Sequence, residues 1–302
     1  MVDHIQETVR TLYIGPAGWS YQDWVGPVYP PGKRIDQLLL IARYFNCIEL
    51  NSSFYRVPGR KLVESWLKRI STVPGFIFTV KVWQRFTHER SADEGEVRDF
   101  IQSFSPLIED GRIGSFLLQF PWSFKNTKES RRYLQRLGMW FAGQPVAVEL
   151  RHGSWNDTET VEFLAGCRLA FCNIDQPQVG YSLPPTEHVT SEEIGYIRLH
   201  GRNKKNWFRA DADRDARYDY LYNAGELEEW RKRARSILAR VKNLFIIMNN
   251  HYRGQALANA AQLRSMIDAR KIDLPPRLVL AFNGLRDIAS NAPAQGDLLE
   301  NE

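Results

Sequence analysis

The chain has 302 residues, 43% of them hydrophobic and 25% charged, with 40 basic against 35 acidic side chains and a formal charge of +5. That composition is enough for one large buried core and argues for a soluble globular chain. The small positive excess permits a polyanionic partner without requiring one.

Taken in chain order, short apolar runs recur at 13–15 (YIG), 47–50 (CIEL), 76–81 (FIFTVK), 116–120 (FLLQF), 146–150 (VAVEL), 169–175 (LAFCNID), 196–200 (YIRLH) and 244–250 (LFIIMNN). Eight candidate strands at this spacing, with helical patterns between most of them, are what successive βα units require. The clearest helix spans 226–241, where Leu227, Trp230, Ala234, Ile237 and Val241 share one face. No hairpin dipeptides separate the runs, so the sheet is expected to be parallel. The expected fold is a single (β/α)8 TIM-like barrel over residues 1–290 followed by a polar tail, 291–302. A doubly wound open sheet is the competing architecture.

Membrane and export signals are absent from the reading. The first ten residues, MVDHIQETVR, hold no apolar stretch, and the run at 244–248 is too short to span a bilayer. Cys47, Cys167 and Cys172 show no CxxC spacing, so neither a disulfide framework nor a structural zinc site is expected, and a reducing cytoplasm fits best.

Side chains alternate across a strand, and in a barrel one row meets the helices while the other meets the lumen. Ile48 and Leu50 oppose Glu49 and Asn51; Val146, Val148 and Leu150 oppose Glu149 and Arg151; Ile197 and Leu199 oppose Arg198 and His200. Phe116, Leu118 and Phe120 likewise oppose Gln119, and Phe78 and Val80 oppose Thr79 and Lys81, while Asn173 and Asp175 end the sixth run together. The lumen row is thus expected to turn polar at the C-terminal strand ends, where barrels of this kind place catalytic groups. Ion pairs that merely close the mouth are the structural alternative, but buried charges seldom stabilise better than apolar packing does.

These residues belong to a longer series: Gly18-Trp19-Ser20-Tyr21 with Trp24 and Tyr29-Pro30; Phe45, Glu49, Asn51 and Phe54-Tyr55; 76–81 and Gln119; Glu149-Leu150-Arg151-His152 with Ser154-Trp155. It goes on through Asp175, Arg198-Leu199-His200-Gly201-Arg202, Asn249-Asn250-His251 and Asn259-Ala260. In this series the chain resembles the domain of unknown function 72 family, over about residues 13–260. The resemblance implies a barrel and the pocket positions, and no reaction. Pro16-Ala17, where the family has small hydroxyl residues, and Trp122 after Pro121, where it has a second proline, depart from the pattern.

Other motifs are weaker. Asp211-x-Asp213-x-Asp215 imitates a calcium loop but has Ala216 where glycine is needed and Tyr222 where a glutamate is needed. No GxGxxG or GxxxxGK[ST] occurs, so no nucleotide cofactor is expected; no HExxH or HxH occurs, so a divalent metal is not favoured. The segment 202–222 interleaves Lys204, Lys205, Arg209, Arg214 and Arg217 with Trp207, Phe208, Tyr218 and Tyr220, a mixture suited to nucleic acid or to a lid over the mouth.

The expected function is hydrolase-like general acid/base chemistry on a polar or phosphate-containing substrate, a small molecule or nucleic acid. Glu49, Glu149, Asp175 and His200 are the expected catalytic groups. Trp19, Tyr21, Asn51, Tyr55, Lys81, Gln119, Arg151, His152, Arg198, Asn249, Asn250 and His251 are the expected substrate contacts. Glycoside hydrolysis by Glu49 and Glu149 is a second reading, and a non-catalytic nucleic-acid-binding module a third.

Overall fold

The apolar runs become eight strands in a computed structural model that describes residues 10–204 and 217–291. They are β1 (Thr11–Pro16), β2 (Cys47–Leu50), β3 (Ile77–Lys81), β4 (Ile113–Gln119), β5 (Val146–Glu149), β6 (Ala170–Asp175), β7 (Ile194–Leu199) and β8 (Asn243–Met248). Every strand pairing is parallel, in the order β1-β8-β7-β6-β5-β4-β3-β2, so that β8 returns to β1 and the sheet curls into a nearly closed barrel. The open sheet is thereby excluded. The tail, the Asp211-x-Asp213-x-Asp215 motif and most of the basic stretch at 202–222 lie outside the described residues.

Helices α1 (Gln37–Tyr44), α2 (Arg60–Ile70), α3 (Glu94–Ser103), α4 (Ser105–Glu109), α5 (Lys128–Trp140), α6 (Thr158–Gly166), α7 (Ala224–Leu238), α8 (Gln255–Asp268) and α9 (Pro276–Ala281) supply the outer layer. Side-chain caps start five of them: Asp36, Asp93, Thr127, Asp157 and Asn223 accept from backbone amides of the first turn, and Glu96 and Glu226 complete reciprocal capping boxes. Helix α7 buries the expected stripe of Leu227, Trp230, Ala234 and Ile237. Fully burying each large apolar side chain of this kind contributes about 1.5–3 kcal/mol.

Register fixes which side chains share the lumen. Glu49 is level with Thr79, Gln119 with Glu149, and Tyr196 with Phe245. Residues level on adjacent strands point to the same side of a sheet. On β6 the level partners are Cys172 with Tyr196, Ile174 with Arg198, and Asp175 with Leu199. Asn173 and Asp175 therefore face outward, against the expectation that they share the polar lumen row. For Asn173 the physical reason is the cover over β6: no helix forms among residues 176–193, and the strand is roofed there by irregular chain. Backbone groups in such a segment need polar partners. The Asn173 amide donates to the His188 carbonyl and accepts from the Thr186 hydroxyl and the His188 amide.

Strands β1 and β2 meet without a regular ladder. At the lower end the Asn46 side chain bridges them, accepting from the Ile14 amide at 2.9 Å and donating to the Leu12 carbonyl at 2.8 Å. At the mouth the Gly18 amide donates to the Glu49 carbonyl. Between these points Gly15 lets the strands come together, because a Cβ there would lie 1.9 Å from the Cys47 carbonyl oxygen. The backbone cannot yield as a flexible side chain would. Gly15→Ala is expected to cost about 3 kcal/mol, as forced overpacking does. Gly59→Ala, where a Cβ meets nothing within 4 Å, should change stability by less than about 0.5 kcal/mol. Urea denaturation of the two variants checks the contrast.

Candidate active site

Arg198 stands in the lumen, 1% exposed. Its Nη1 donates to Glu149 Oε2 at 2.5 Å and its Nη2 to Glu49 Oε1 at 2.6 Å, so one guanidinium joins carboxylates from β5 and β2 on opposite walls. The second Glu49 oxygen accepts from the Tyr196 hydroxyl at 2.9 Å, and Tyr196 in turn accepts from Thr79 at 2.8 Å. Glu149 Oε1 accepts from Arg151 Nε at 2.8 Å and lies 3.2 Å from His200 Nε2. Both carboxylates are fully buried, and a buried ion network holds only if its members are mutually satisfied.

His200 fits that network as a neutral ring. Burial pushes its pKa down to about 3, with Arg151 and Arg198 adding to the effect and Glu149 opposing it. The Asn249 amide, 3.0 Å from Nδ1, is placed to donate there, which leaves the proton on Nε2 to be donated to Glu149. Burial by itself would raise the Glu149 carboxyl, but Arg198, Arg151 and the His200 hydrogen bond hold it well below the usual carboxylate range. It is a fixed anion.

Above this layer opens a cavity of about 220 Å³ at the C-terminal strand ends. Among the expected site residues, Tyr21, Asn51, Tyr55, Lys81, Gln119, Arg151, Arg198, Asn249 and His251 line it, joined by Arg217 and Tyr218. Glu49, Glu149 and His200 lie beneath and do not border it. The described lining thus carries four cationic side chains and no carboxylate, and the two glutamates lie below it, paired with Arg198. On one wall Tyr21 stacks on His251 at 4.4 Å between centroids.

Lys81 is the distinctive cation. Its Nζ sits 3.8 Å above the Phe54 ring and has no hydrogen bond or ion pair among the described residues. Burial, then the Arg198 charge, lowers its pKa to about 7, although Glu149 and Glu49 pull the other way. The loop carrying Asn51 is tied to the same strand end, because the Ser53 hydroxyl donates to the Lys81 carbonyl at 2.6 Å. Asn51 Oδ1 is buried without a hydrogen-bond partner in the described structure.

Four expected site residues fall elsewhere. Asp175 is held outside the barrel wall by Arg202 and by the Trp230 indole at 2.7 Å, and burial raises its carboxyl. Asn250 donates to the Tyr220 carbonyl and to Asn259 of α8. His152 accepts from the Ser154 amide and packs edge-on to Trp122 and Tyr181. Trp19 packs edge-on to Trp66 of α2. The sequence reading also passed over His88, whose ring meets Phe54 at 4.8 Å from the side opposite in kind to Lys81, an edge contact against a cation contact. A conspicuous local signal was its position in a π-helical turn, Arg85–Glu89, since such turns are frequent at functional sites. Among the described residues no group of three His, Cys, Asp or Glu side chains stands where it could hold a metal ion, and no helix is long and apolar enough to cross a membrane.

Residues 13–279 match the family described as "Protein of unknown function DUF72". The chain belongs to that family. The UPF0759 protein YunF of Bacillus subtilis is 33% identical over 287 residues, 90% of this chain and 100% of that one. A DUF72 family protein of Thermotoga maritima superposes with a TM-score of 0.77 at 34% identity, over 86% of this chain and 100% of its own. One from Enterococcus faecalis gives 0.76 at 28% identity, over 85% and 96%. In this DUF72 barrel, family membership and geometry agree on the architecture.

The buried network predicts its own fragility. Arg198→Met strands two buried carboxylates and is expected to cost about 3–5 kcal/mol in urea denaturation. A second consequence concerns acid. His200 stays neutral in the folded chain down to about pH 3 while an ordinary histidine protonates near 6.5. The unfolded chain therefore binds the extra proton in that interval, and stability falls as pH falls through it, by about 1.4 kcal/mol per pH unit. His88, lowered to about 4 by burial and by Lys81, adds a slope of the same sign. Urea midpoints between pH 7 and 4.5 should drop, and His200→Gln should remove its share of the drop.

Proposed function

We propose that this chain is an enzyme that binds a small anionic substrate, bearing phosphate or carboxylate, at the barrel mouth and carries out general acid/base chemistry on it, hydrolysis included. The observation that carries this reading is Lys81, an amine in a cation-lined cavity with no carboxylate among its described lining residues. A group with a pKa near 7 is matched to proton transfer at neutral pH. Arg151 and Arg198 suit the planar oxygens of a phosphate or carboxylate. The volume, about seven waters at about 30 Å³ each, favours a small molecule over a polymer segment.

In this reading Glu49, Glu149 and His200 are positioning residues that aim the arginines, and proton exchange passes from them to Lys81. Glycoside hydrolysis is less well supported, because it needs a protonated carboxyl and a second carboxyl at the scissile bond. Here both glutamates lie under the cavity floor and are occupied by Arg198.

Calorimetric titration with inorganic phosphate tests the anion site. Arg151→Gln should weaken binding about tenfold or more, the size of one lost charged hydrogen bond. The groups facing Lys81 are Arg198, Arg151, Glu149, Glu49 and His88. Deprotonating Lys81 removes a positive charge, so affinity for sulfate, whose own charge is constant over this range, should fall as pH rises through about 7 in the wild type and change less in Lys81→Met. No phosphate binding at low salt would reject the anion site.

A further inference from the structure

The reading of the mouth as an anion site leaves one chemical property of Lys81 unused. Three of the four cations lining the cavity are arginines, which bind anions through a rigid fork and do not give up a proton; the fourth is a primary amine. Resting on that anion-site reading, we propose that Lys81 is a covalent nucleophile that forms an imine with the carbonyl carbon of a small anionic aldehyde or ketone.

Four features of the structure support it. No carboxylate pairs with Nζ among the described residues, because Glu149 and Glu49 are taken by Arg198, Arg151, His200 and Tyr196. Nothing there has to be broken before the lone pair is used. The amine lies on an aromatic face in the wall of the cavity, an environment that with nearby cations favours the neutral nucleophile. The anionic part of such a substrate has Arg151 to bind at the same surface. Finally, Asn51 Oδ1 is a buried acceptor with no partner in the described structure, on the loop that Ser53 ties to Lys81. An unsatisfied buried carbonyl is unfavourable, and the hydroxyl of a tetrahedral adduct would satisfy it.

The step balances without an oxidant or reductant. The Nζ lone pair attacks the carbonyl carbon, the C=O π bond opens to a hydroxyl, and the carbinolamine loses that oxygen as water. Both amine hydrogens leave in the water as the C=N bond forms. Acid/base chemistry then acts on the bonds next to the imine carbon.

The test uses the full-length chain, pyruvate as the anionic carbonyl and acetaldehyde as the neutral one, at pH 7 with borohydride reduction, proteolysis and mass spectrometry. Ordinary lysines, with pKa near 10.4, are almost wholly protonated at that pH. The expected result is a carboxyethyl adduct on the Lys81 peptide, favoured over surface lysines by about a hundredfold or more and suppressed by phosphate. Acetaldehyde should label Lys81 far less selectively. Lys81→Arg should abolish the adduct while still binding phosphate, and Asn51→Ala should slow trapping by pyruvate. Pyruvate adducts spread over surface lysines with no preference for Lys81, while phosphate still binds, would overturn the imine and leave the anion site standing. Loss of phosphate binding as well would overturn both.

Discussion

Arg198 is the tie on which the upper half of the barrel depends. A guanidinium in the lumen has to be neutralised within reach of its own fork, and Glu49 and Glu149 do this from two different walls. The consequence runs upward. With the glutamates committed below, the described surface at the mouth presents cations, amides and aromatic rings. A pocket that is rich in carboxylates by sequence is thereby poor in them at its surface. The selectivity attributed here to the site follows from which members of one network are exposed and which are buried.

Much of this was legible before folding. Eight apolar runs with polar residues at alternate positions specify a barrel whose lumen changes character toward one end, and Glu49, Lys81, Gln119, Glu149, Arg151, Arg198 and His200 all keep the expected side of their strands. The parity rule failed on β6 because it assumes an apolar helix over the outer row. Where irregular chain replaces that helix, polar residues belong outside, and Asn173 sits there, while Asp175 is held by Arg202 and the Trp230 indole of α7. A single strand read alone does not reveal what covers it. Asn250 misled for a related reason, since it ends a strand beside α8 and serves the backbone at Tyr220.

Depth was the other quantity hidden from the sequence. Parity says which way a side chain points but not how far up the lumen it stops. Glu149 and Arg151 share a row on β5, yet one is fully buried and the other lines the cavity. The choice between a catalytic carboxylate and a positioning one rests on that short vertical offset. Lys81 was read as a substrate contact because nothing in a one-dimensional pattern reports the lack of a counter-ion. That property emerges only when the neighbouring acids are seen to be taken.

The junction of β1 and β2 has a mechanical meaning for the same mouth. Seven links of the ring are strand ladders, whereas this one is a side-chain amide below and an isolated parallel bridge between Ala17 and Glu49 above. Tyr21 follows one side of the junction and Asn51 with Tyr55 follows the other, so two walls of the cavity are hung on either side of the ring's least redundant link. The spacing of the two strands rests there on the two Asn46 hydrogen bonds, the close approach at Gly15 and the Ala17–Glu49 bridge, and Arg198 ties β2 to β5 across the lumen.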